Sequence, residues 1–370
     1  MNFVFFTHSL VSCWNHGNAH FLRGVLRALT EAGHRVVAQE PRDGWSRENL
    51  VRDHGQAPLR EFMATFPELQ TRVYEGVEGL AESVAEADVV VVHEWTDPAV
   101  VGALGRLRRG GARFRLLFHD THHRAVSDPE EARAWPIEDY DAVLAFGESL
   151  AEVYRGWGWG ERVLVWHEAA DTSIFRPLAP KGAREGVVWI GNWGDDERTE
   201  ELESFLFRPV GAEQLRLTVH GVRYPEAARR RLAEIGADYR GWLANYRVPE
   251  VFAEHLCTVH VPRRFYAEQL PGIPTIRPFE AMACGLPLIS APWHDSEGLF
   301  RAGHDYLPAR DGAEVRQHLR LLQNDADAWQ EISRSGLDRI AARHTCRHRV
   351  DELLAFLERL ERPALARETA

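Results

Sequence analysis

Short runs of consecutive apolar residues recur along the first half of the chain. They predict six buried strands, at residues 3–6, 36–38, 88–93, 115–118, 141–145 and 163–166. Apolar residues also recur at helical spacing from Phe21 to Leu29 and stop at Gly33, which predicts a helix between the first two strands. Strands without polar alternation are typical of a parallel sheet that is covered on both faces. The pattern therefore predicts a doubly wound α/β sheet.

The second half repeats this pattern with a new set of elements. Strands are predicted at residues 187–190, 215–220, 258–261 and 286–291, and helices at 198–207, 248–256, 313–324, 326–342 and 346–360. A charged stretch that contains proline and glycine, residues 177–186, is typical of a linker. We therefore expect a second parallel sheet, with a boundary near residues 175–182. The tail at residues 362–370 is interpreted as loose.

Composition narrows the class of protein. The 370 residues are 45% apolar, which is ample for packed cores, and they carry a formal net charge of −11. This charge argues against nonspecific binding to nucleic acid. The four cysteines show no metal-ligand spacing, so we expect reduced structural thiols in a cytoplasmic protein. The apolar N-terminus lacks a basic region and is interpreted as a strand, and no run is long enough to span a membrane.

The segment at residues 272–293 has features that suit a nucleotide. Pro278 suits the first position of a short helix and Gly285 suits its left-handed cap, so that Glu280 would lie in the first turn. The free N–H groups and the positive dipole end of this helix, next to Arg277, can hold a phosphate. The Glu280 carboxylate can accept hydrogen bonds from two sugar hydroxyls. The alternative is an ordinary first-turn glutamate that the helix dipole favours.

Polar residues also follow the predicted strands of the first half. The loop after the first strand contains His16, Gly17 and Asn18 but no GxGxxG motif, which argues against a dinucleotide-dependent dehydrogenase. Glu94 follows the third strand, and HDTHH, residues 119–123, follows the fourth. Because such sheets bind ligands at the carboxyl ends of their strands, we expect a cleft there. Glu94 is a candidate general base or a structural ion-pair partner, and HDTHH is a candidate metal site that lacks a second ligand motif.

The sequence RPFEAMACGLPLIS, residues 277–290, resembles the donor-nucleotide segment of GT-B glycosyltransferases. It is similar to the glycosyl transferases group 1, a family-4-like set, and within that set to the CgeB-type branch. Similarity also covers residues 12–29, 115–124 and 163–177. The resemblance implies two Rossmann-like domains that face a central cleft, and a C-terminal helix that crosses back to the N-terminal domain. The expected segments are an N-terminal domain at 1–176, a nucleotide-sugar domain at 177–345 and the returning helix at 346–362.

The same resemblance assigns roles to individual residues. Glu280 would bind the donor ribose, whereas many family members carry a second glutamate, beside the donor sugar, where this chain has Gly272. His119 would contact the donor sugar, and Asp120, His122 or Glu94 would be the base of an inverting reaction. One of two adjacent arginines, assigned as Arg264 rather than Arg263, would pair with phosphate. The other expected nucleotide and cleft residues are Gly191, Asn192, Arg198, Trp242, Thr275, Ile276, Arg277, His16, Gly17 and Asn18.

The function implied by the resemblance is transfer of a sugar from a nucleotide-diphosphate sugar to a carbohydrate or other small-molecule acceptor. The reaction would retain anomeric configuration and need no metal or other cofactor, and nucleic acid is not expected as a partner. Variable loops near residues 41–75 and 122–138 would form the acceptor pocket. Three alternatives remain open: a nucleotide-sugar-binding protein without transfer, which Gly272 favours, a sugar epimerase on the same scaffold, and a metal hydrolase built on HDTHH.

Overall fold

The computed structural model describes residues 1–361, apart from the side chains of Asp195 and Glu361. The tail that was interpreted as loose, residues 362–370, lies outside the described residues. None of the helices within residues 1–361 is long and apolar enough to cross a membrane.

The first sheet is built from the buried apolar runs of the first half. Its strands are β1 (Asn2–Phe6), β2 (Arg35–Pro41), β3 (Thr71–Tyr74), β4 (Val89–His93), β5 (Arg115–Asp120), β6 (Ala142–Ala145) and β7 (Val163–Val165). They pair in parallel in the order β3-β2-β1-β4-β5-β6-β7. The central strand β4 is buried along its whole length, because helices cover both faces of the sheet.

Helices connect these strands and include segments that were expected to be loops. They are α1 (Asn18–Glu31), α2 (Trp45–His54), α3 (Ala57–Thr65), α4 (Leu80–Ser83), α5 (Pro98–Arg109), α6 (Arg124–Ser127), α7 (Pro129–Arg133) and α8 (Glu148–Tyr154). The expectation that residues 41–75 and 122–138 are loops was therefore wrong. The charged composition of α2 hides its apolar anchor, the buried Leu50. We call β1–β7 with α1–α8 the first lobe.

The second lobe contains a six-stranded parallel sheet. Its strands are β8 (Val187–Ile190), β9 (Leu217–His220), β10 (Asp238–Tyr239), β11 (Cys257–His260), β12 (Leu288–Ser290) and β13 (Leu307–Pro308), in the order β10-β9-β8-β11-β12-β13. Its helices are α9 (Thr199–Leu202), α10 (Arg208–Ala212), α11 (Glu226–Glu234), α12 (Val248–Ala253), α13 (Arg264–Glu268), α14 (Ile276–Ala283), α15 (Gly312–Asn324) and α16 (Ala326–Arg343). A π-helical turn, Glu203–Phe207, joins α9 to α10.

The last helix, α17 (Cys346–Glu361), returns to the first lobe and packs on α1. Its apolar face enters the core cluster that contains the apolar face of α1. The members of this contact are Phe21, Leu22, Val25, Leu26 and Leu29 from α1, and Cys346, Val350, Leu353, Phe356 and Leu357 from α17. The predicted return of the C-terminal helix is confirmed. Because the chain crosses between the lobes twice, their carboxyl strand edges are held facing each other.

Candidate functional site

A cavity of about 260 Å³ lies between the two carboxyl edges. Its second-lobe wall comes from the ends of β8, β9 and β11 and from the start of α14, and its first-lobe wall comes from the loop after β1. Ligands of open parallel sheets bind at this edge. Ten residues that the sequence predicted for the site line this one cavity: His16, Gly17, Gly191, Asn192, Arg198, Trp242, Thr275, Ile276, Arg277 and Glu280.

The start of α14 offers unpaired main-chain donors to the cavity. The helix begins at Ile276, so Pro278 is its third residue and Glu280 lies in its second turn, not the first as expected. The first N–H groups of a helix have no helical partner, which leaves the amides of Thr275, Ile276 and Arg277 for a ligand. Thr275 itself has a φ of 58° and a ψ of −174°. A non-glycine residue in this region is strained by roughly 1–3 kcal/mol, and such strain concentrates at ligand sites.

Arg198 brings a half-buried cation to the same wall. Its guanidinium donates to the main-chain carbonyls of Asn192, Trp193 and Val261. No carboxylate among the residues that the structure describes forms an ion pair with it. Burial, and next the charge of Arg263, lower the pKa of Arg198 to about 10. A half-buried cation without an anionic partner is costly, so this site favours a negatively charged ligand.

Arg263, not Arg264, is the arginine that β11 delivers to the cavity. Arg263 precedes the first turn of α13, whereas Arg264 is its first residue and lies 3.2 Å from Glu201 on the exposed surface. Arg263 donates to Glu197 at 2.8 Å. Burial alone would raise the pKa of Glu197, but hydrogen bonds from His123 and Arg263 lower it to about 2. The assignment of Arg264 to phosphate is therefore not supported, because its side chain leaves the strand end on the outer side.

Glu280 is buried and holds the two lobes together at the cavity wall. One carboxylate oxygen lies 2.8 Å from Nδ1 of His20 on α1, and the other accepts from Arg277. Nε2 of His20 accepts from the main-chain N–H of Asp171 at 2.9 Å. Since a main-chain N–H can only donate, the proton of His20 resides on Nδ1 and is donated to Glu280. The His20 ring stacks on Phe175, with ring centroids 3.8 Å apart.

The loop after β1 approaches α14 closely. A Cβ on Gly17 would lie 2.7 Å from Cγ2 of Ile276, so only glycine allows this approach. Asn192 donates to the side-chain oxygen of Asn15 at 2.7 Å, which joins the loop to the end of β8. Burial lowers the pKa of His16 well below its usual value, and Nε2 of His16 has no partner within residues 1–361. His16 therefore presents a neutral imidazole.

The buried carboxylate of Glu40 fixes the first part of this loop. It accepts hydrogen bonds from the side chain of Ser9 at 2.8 Å and from the main-chain N–H groups of Leu10 and Val11, each at 3.0 Å. This role was not predictable from the sequence, because Glu40 lies at the end of a strand with no partner nearby in the chain. The contact explains how a loop without helical structure presents His16 in a defined position.

Glu94 and Asp120 lie behind the rim of the first lobe and do not line the cavity. Glu94 pairs with Arg124 at 2.7 Å and accepts from Thr121 at 3.2 Å. Asp120 accepts from the Tyr154 hydroxyl at 2.8 Å and from a main-chain N–H at 2.9 Å. Burial raises the pKa of both carboxyls. The structure therefore does not place either group as a base at the cavity, because internal partners already occupy their oxygens.

The histidines of HDTHH and Asn18 are also directed away from the cavity. His119 is fully buried against Phe21 and Trp166, and burial lowers its pKa to about 3. His122 packs on Trp95, and Asn18 donates to Thr121 and hydrogen-bonds His93. Among the described residues, no group of three or more His, Cys, Asp or Glu side chains is arranged to hold a metal. Side chains alternate between the two faces of a strand, and that of His119 points into the core. His119 therefore does not line the cavity, where its contact with the donor sugar was expected.

Gly272 lies beside a glutamate from another part of the chain. A Cβ at this position, where φ is +89°, would lie 2.8 Å from the carboxylate of Glu297. Glu297 accepts from the main-chain N–H of Glu148 at 2.9 Å and hydrogen-bonds His167 at 2.9 Å. The Glu297 carboxylate thus lies where a side chain at position 272 would begin, and it links the second lobe to the first.

Several residues of the cavity were not predicted from the sequence. They are Cys13, Trp14, Trp189, His220, Asn245, His260 and Tyr266. His220 and His260 end β9 and β11, so the strand-end argument applied to the first half would have identified them in the second. Asn245 could not be found in this way, since its role depends on Arg23 of α1, which donates to its side chain across the lobes.

The second lobe is similar in sequence to a known protein family. Residues 198–355 match the model of a family described as glycosyl transferase-like. No curated protein matches the sequence significantly. The matched segment covers most of the second lobe and the start of α17, and it contains Arg198, Arg263, Arg277 and Glu280.

Solved structures share the fold over almost the whole chain. Anabaena HepE in complex with UDP and glucose has a TM-score of 0.71 at 14% identity, over 97% of this chain and 99% of that chain. Sucrose-phosphate synthase from Thermosynechococcus elongatus has a TM-score of 0.68 at 16% identity, over 97% and 99%. T4 phage BGT in complex with UDP and Mn²⁺ has a TM-score of 0.61 at 12% identity, over 98% and 100%. The chain thus has the predicted GT-B fold, and its residues 198–355 are similar to the glycosyl transferase-like family.

Proposed function

We propose that the protein is a glycosyltransferase that uses a nucleoside diphosphate sugar, with UDP-sugars as the first donors to test. One observation carries this proposal: the amides at the start of α14, the half-buried Arg198 and the carboxylate of Glu280 meet in one cavity. A diphosphate supplies the anion that Arg198 lacks, and a ribose supplies the hydroxyls for Glu280. The complexes of Anabaena HepE with UDP and with UDP-glucose support the choice of nucleotide.

The cavity suggests one orientation of the donor. The diphosphate would lie between the α14 amides and the guanidinium groups of Arg198 and Arg263. The ribose would lie at Glu280 and take over the contact that this carboxylate makes with Arg277, which frees Arg277 for a phosphate oxygen. The base would lie towards Trp242, which lines the far end of the cavity and whose buried Nε1 has no partner within residues 1–361. Each group of the nucleotide thus meets a side chain of matching chemistry.

Leaving-group stabilisation would come from the protein itself. Arginines and a helix N-terminus that are already in place stabilise the charge that develops on a departing diphosphate without reorganisation. We propose that no metal is needed and that the reaction retains anomeric configuration. Among the described lining residues, Glu280 is the one carboxylate, and His20 and Arg277 already hold its two oxygens. An oxygen of the departing phosphate is therefore the better candidate to deprotonate the acceptor.

The proposal is tested by nucleotide release from UDP-glucose, UDP-galactose, UDP-N-acetylglucosamine and GDP-mannose, each with and without EDTA. We expect slow release from at least one donor, unchanged by EDTA, and an anomeric product of retained configuration by NMR. Glu280→Ala should weaken donor binding by about tenfold or more, since it removes the proposed ribose contact. Arg264→Ala is the control and should leave release unchanged. Failure of the wild type to bind any of these donors would contradict the proposal.

A second candidate is a nucleotide-sugar-binding protein that does not transfer. The specific observation in its favour is the first-lobe rim, where Glu94 and Asp120 are occupied by internal partners and Glu297 stands at the position beside Gly272. Calorimetry and the release assay distinguish the two. Tight donor binding with neither hydrolysis nor transfer would favour the binding protein, and release of nucleotide would favour the transferase.

A further inference from the structure

Two tryptophans are exposed at the rim of the first lobe. The chain has twelve tryptophans, all within the described residues, and only Trp45 and Trp95 are exposed, by 45% and 47%. Trp45 begins α2 and Trp95 follows β4, so the two come from separate segments. Their rings lie 6.3 Å and 6.0 Å from the same ring, that of His8 after β1. We call Trp45, His8 and Trp95 the tryptophan rim.

The tryptophan rim continues directly from the cavity. The His8 ring lies 5.1 Å from that of His16, and the Trp45 ring lies 5.2 Å from that of Trp14. His16 and Trp14 both line the cavity. A molecule on the rim is therefore next to whatever occupies the cavity, on the side of the first lobe.

The histidines at the rim are uncharged. Burial lowers the pKa of His8 to about 4, and burial together with nearby cations lowers that of His122, which contacts Trp95, to about 3. Neutral imidazoles can donate or accept a hydrogen bond, as sugar hydroxyls require. The cation at the rim, Arg124, is paired with Glu94 and so is not available to a phosphate or carboxylate.

Glu94 and Arg124 instead hold Trp95 in place. The Arg124 guanidinium lies over the Trp95 ring at 4.5 Å, and its salt bridge to the buried Glu94 fixes it there at 2.7 Å. An exposed indole that is fixed in advance loses little conformational freedom when it binds a ligand. This gives the buried Glu94 a positioning role that does not require contact with substrate.

We propose that the tryptophan rim is the acceptor subsite and that it binds the apolar face of an uncharged sugar ring. Exposed indoles offer large flat apolar surfaces, and the neutral imidazoles between them offer hydrogen bonds to the hydroxyls at the edge of the ring. This inference rests on the proposed function, since it names the class of acceptor for the same site.

The test is direct binding, measured by saturation-transfer NMR and calorimetry in the presence of UDP. The probes are the methyl glycosides of glucose, galactose, mannose and N-acetylglucosamine, with glucose 6-phosphate and glucuronate as charged comparisons. We expect a neutral glycoside to bind, and Trp45→Ala and Trp95→Ala each to weaken it by about tenfold, as loss of an aromatic contact does. Trp95→Phe should restore most of the affinity, because it keeps a flat ring.

The matched control is Trp157→Ala, since Trp157 also carries an arginine over its ring, Arg133 at 5.2 Å, but lines a different surface pocket. It should not change glycoside binding, and no variant should change UDP affinity. The subsite is overturned if no neutral glycoside binds, if only the charged sugars bind, or if Trp45→Ala and Trp95→Ala bind as the wild type does. If the wild-type protein binds a glycoside but no nucleotide, the proposed function is overturned, whereas sugar binding at the tryptophan rim is supported.

Discussion

The two rims that face the cavity carry similar types of residue, but these residues have different surroundings. Both carry titratable residues directly after parallel strands. At the second lobe, Arg198, Arg263 and Glu280 line the open cavity. At the first lobe, Glu94 and Asp120 are buried behind the rim and bond internal partners. A position near a strand end thus brings a residue to the edge of a sheet, but the direction of its side chain decides whether it reaches the cavity.

The pKa directions separate the rims in the same way. Burial raises the pKa of Glu94 and Asp120, so their environment disfavours added negative charge. Burial is also the main cause of the lowered pKa of Arg198, so its environment disfavours an isolated positive charge. We therefore expect an anionic ligand beside Arg198 and a neutral ligand at the first-lobe rim.

The largest expected effect comes from the adjacent pair Arg263 and Arg264. Arg263→Ala removes a cavity cation and leaves Glu197 without its arginine, so UDP affinity should fall about 10- to 100-fold. Arg264→Ala removes a surface ion pair with Glu201 and should leave UDP affinity within about twofold. Calorimetric titration of UDP checks both. Equal losses in the two variants would show that the cavity wall has been misidentified.

Next in size is the contact between Gly272 and Glu297. Gly272→Ala should cost about 1 kcal/mol for its positive φ and at least about 1 kcal/mol more for contact with the Glu297 carboxylate. Gly303 has a φ of +79° and open space around it, so Gly303→Ala gives the backbone cost alone. Denaturant unfolding of both variants measures the difference. If the two lose the same stability, Glu297 is not held at Gly272.

Glu168, in the segment between the lobes, gives an effect that is spread over several pH units. Burial, and next the charge of Glu280, raise its pKa from 4.5 to about 8. The folded chain then keeps a proton that the unfolded chain releases, so this group's stabilisation is full below pH 4.5 and is lost as the pH rises to about 8. Glu168→Gln should remove up to about 1.4 kcal/mol of this decline per pH unit. Unfolding at pH 5, 6.5 and 8 measures the slope, and an unchanged slope would contradict the assignment.

The smallest expected effect is at the first-lobe rim. Asp120→Asn should leave UDP affinity within about twofold, since Asp120 bonds Tyr154 and a main-chain N–H and lies outside the cavity. A modest change in melting temperature is expected from the altered hydrogen bond to Tyr154. A large loss of UDP affinity, with the fold intact by circular dichroism, would remove the distinction between the two rims.

The sequence predicted most strands of both sheets and the start of α14, because buried parallel strands and a helix start leave local patterns. The family resemblance predicted the returning helix. The sequence could not predict contacts between distant segments. His20 and Glu280 are 260 residues apart in the sequence, and only the folded chain brings them together. The direction of a side chain at a strand end was also not predictable: His119 turns into the core, and Arg263 rather than Arg264 faces the cavity.

A crystal structure of the protein with UDP bound would show directly whether the start of α14 and Arg198 hold the diphosphate. We expect diphosphate oxygens at about 3 Å from the amides of Ile276 and Arg277 and from the guanidinium of Arg198. We also expect hydrogen bonds between the ribose hydroxyls and Glu280. UDP bound outside this cavity, or bound in it with the diphosphate away from α14 and the arginines, would contradict it.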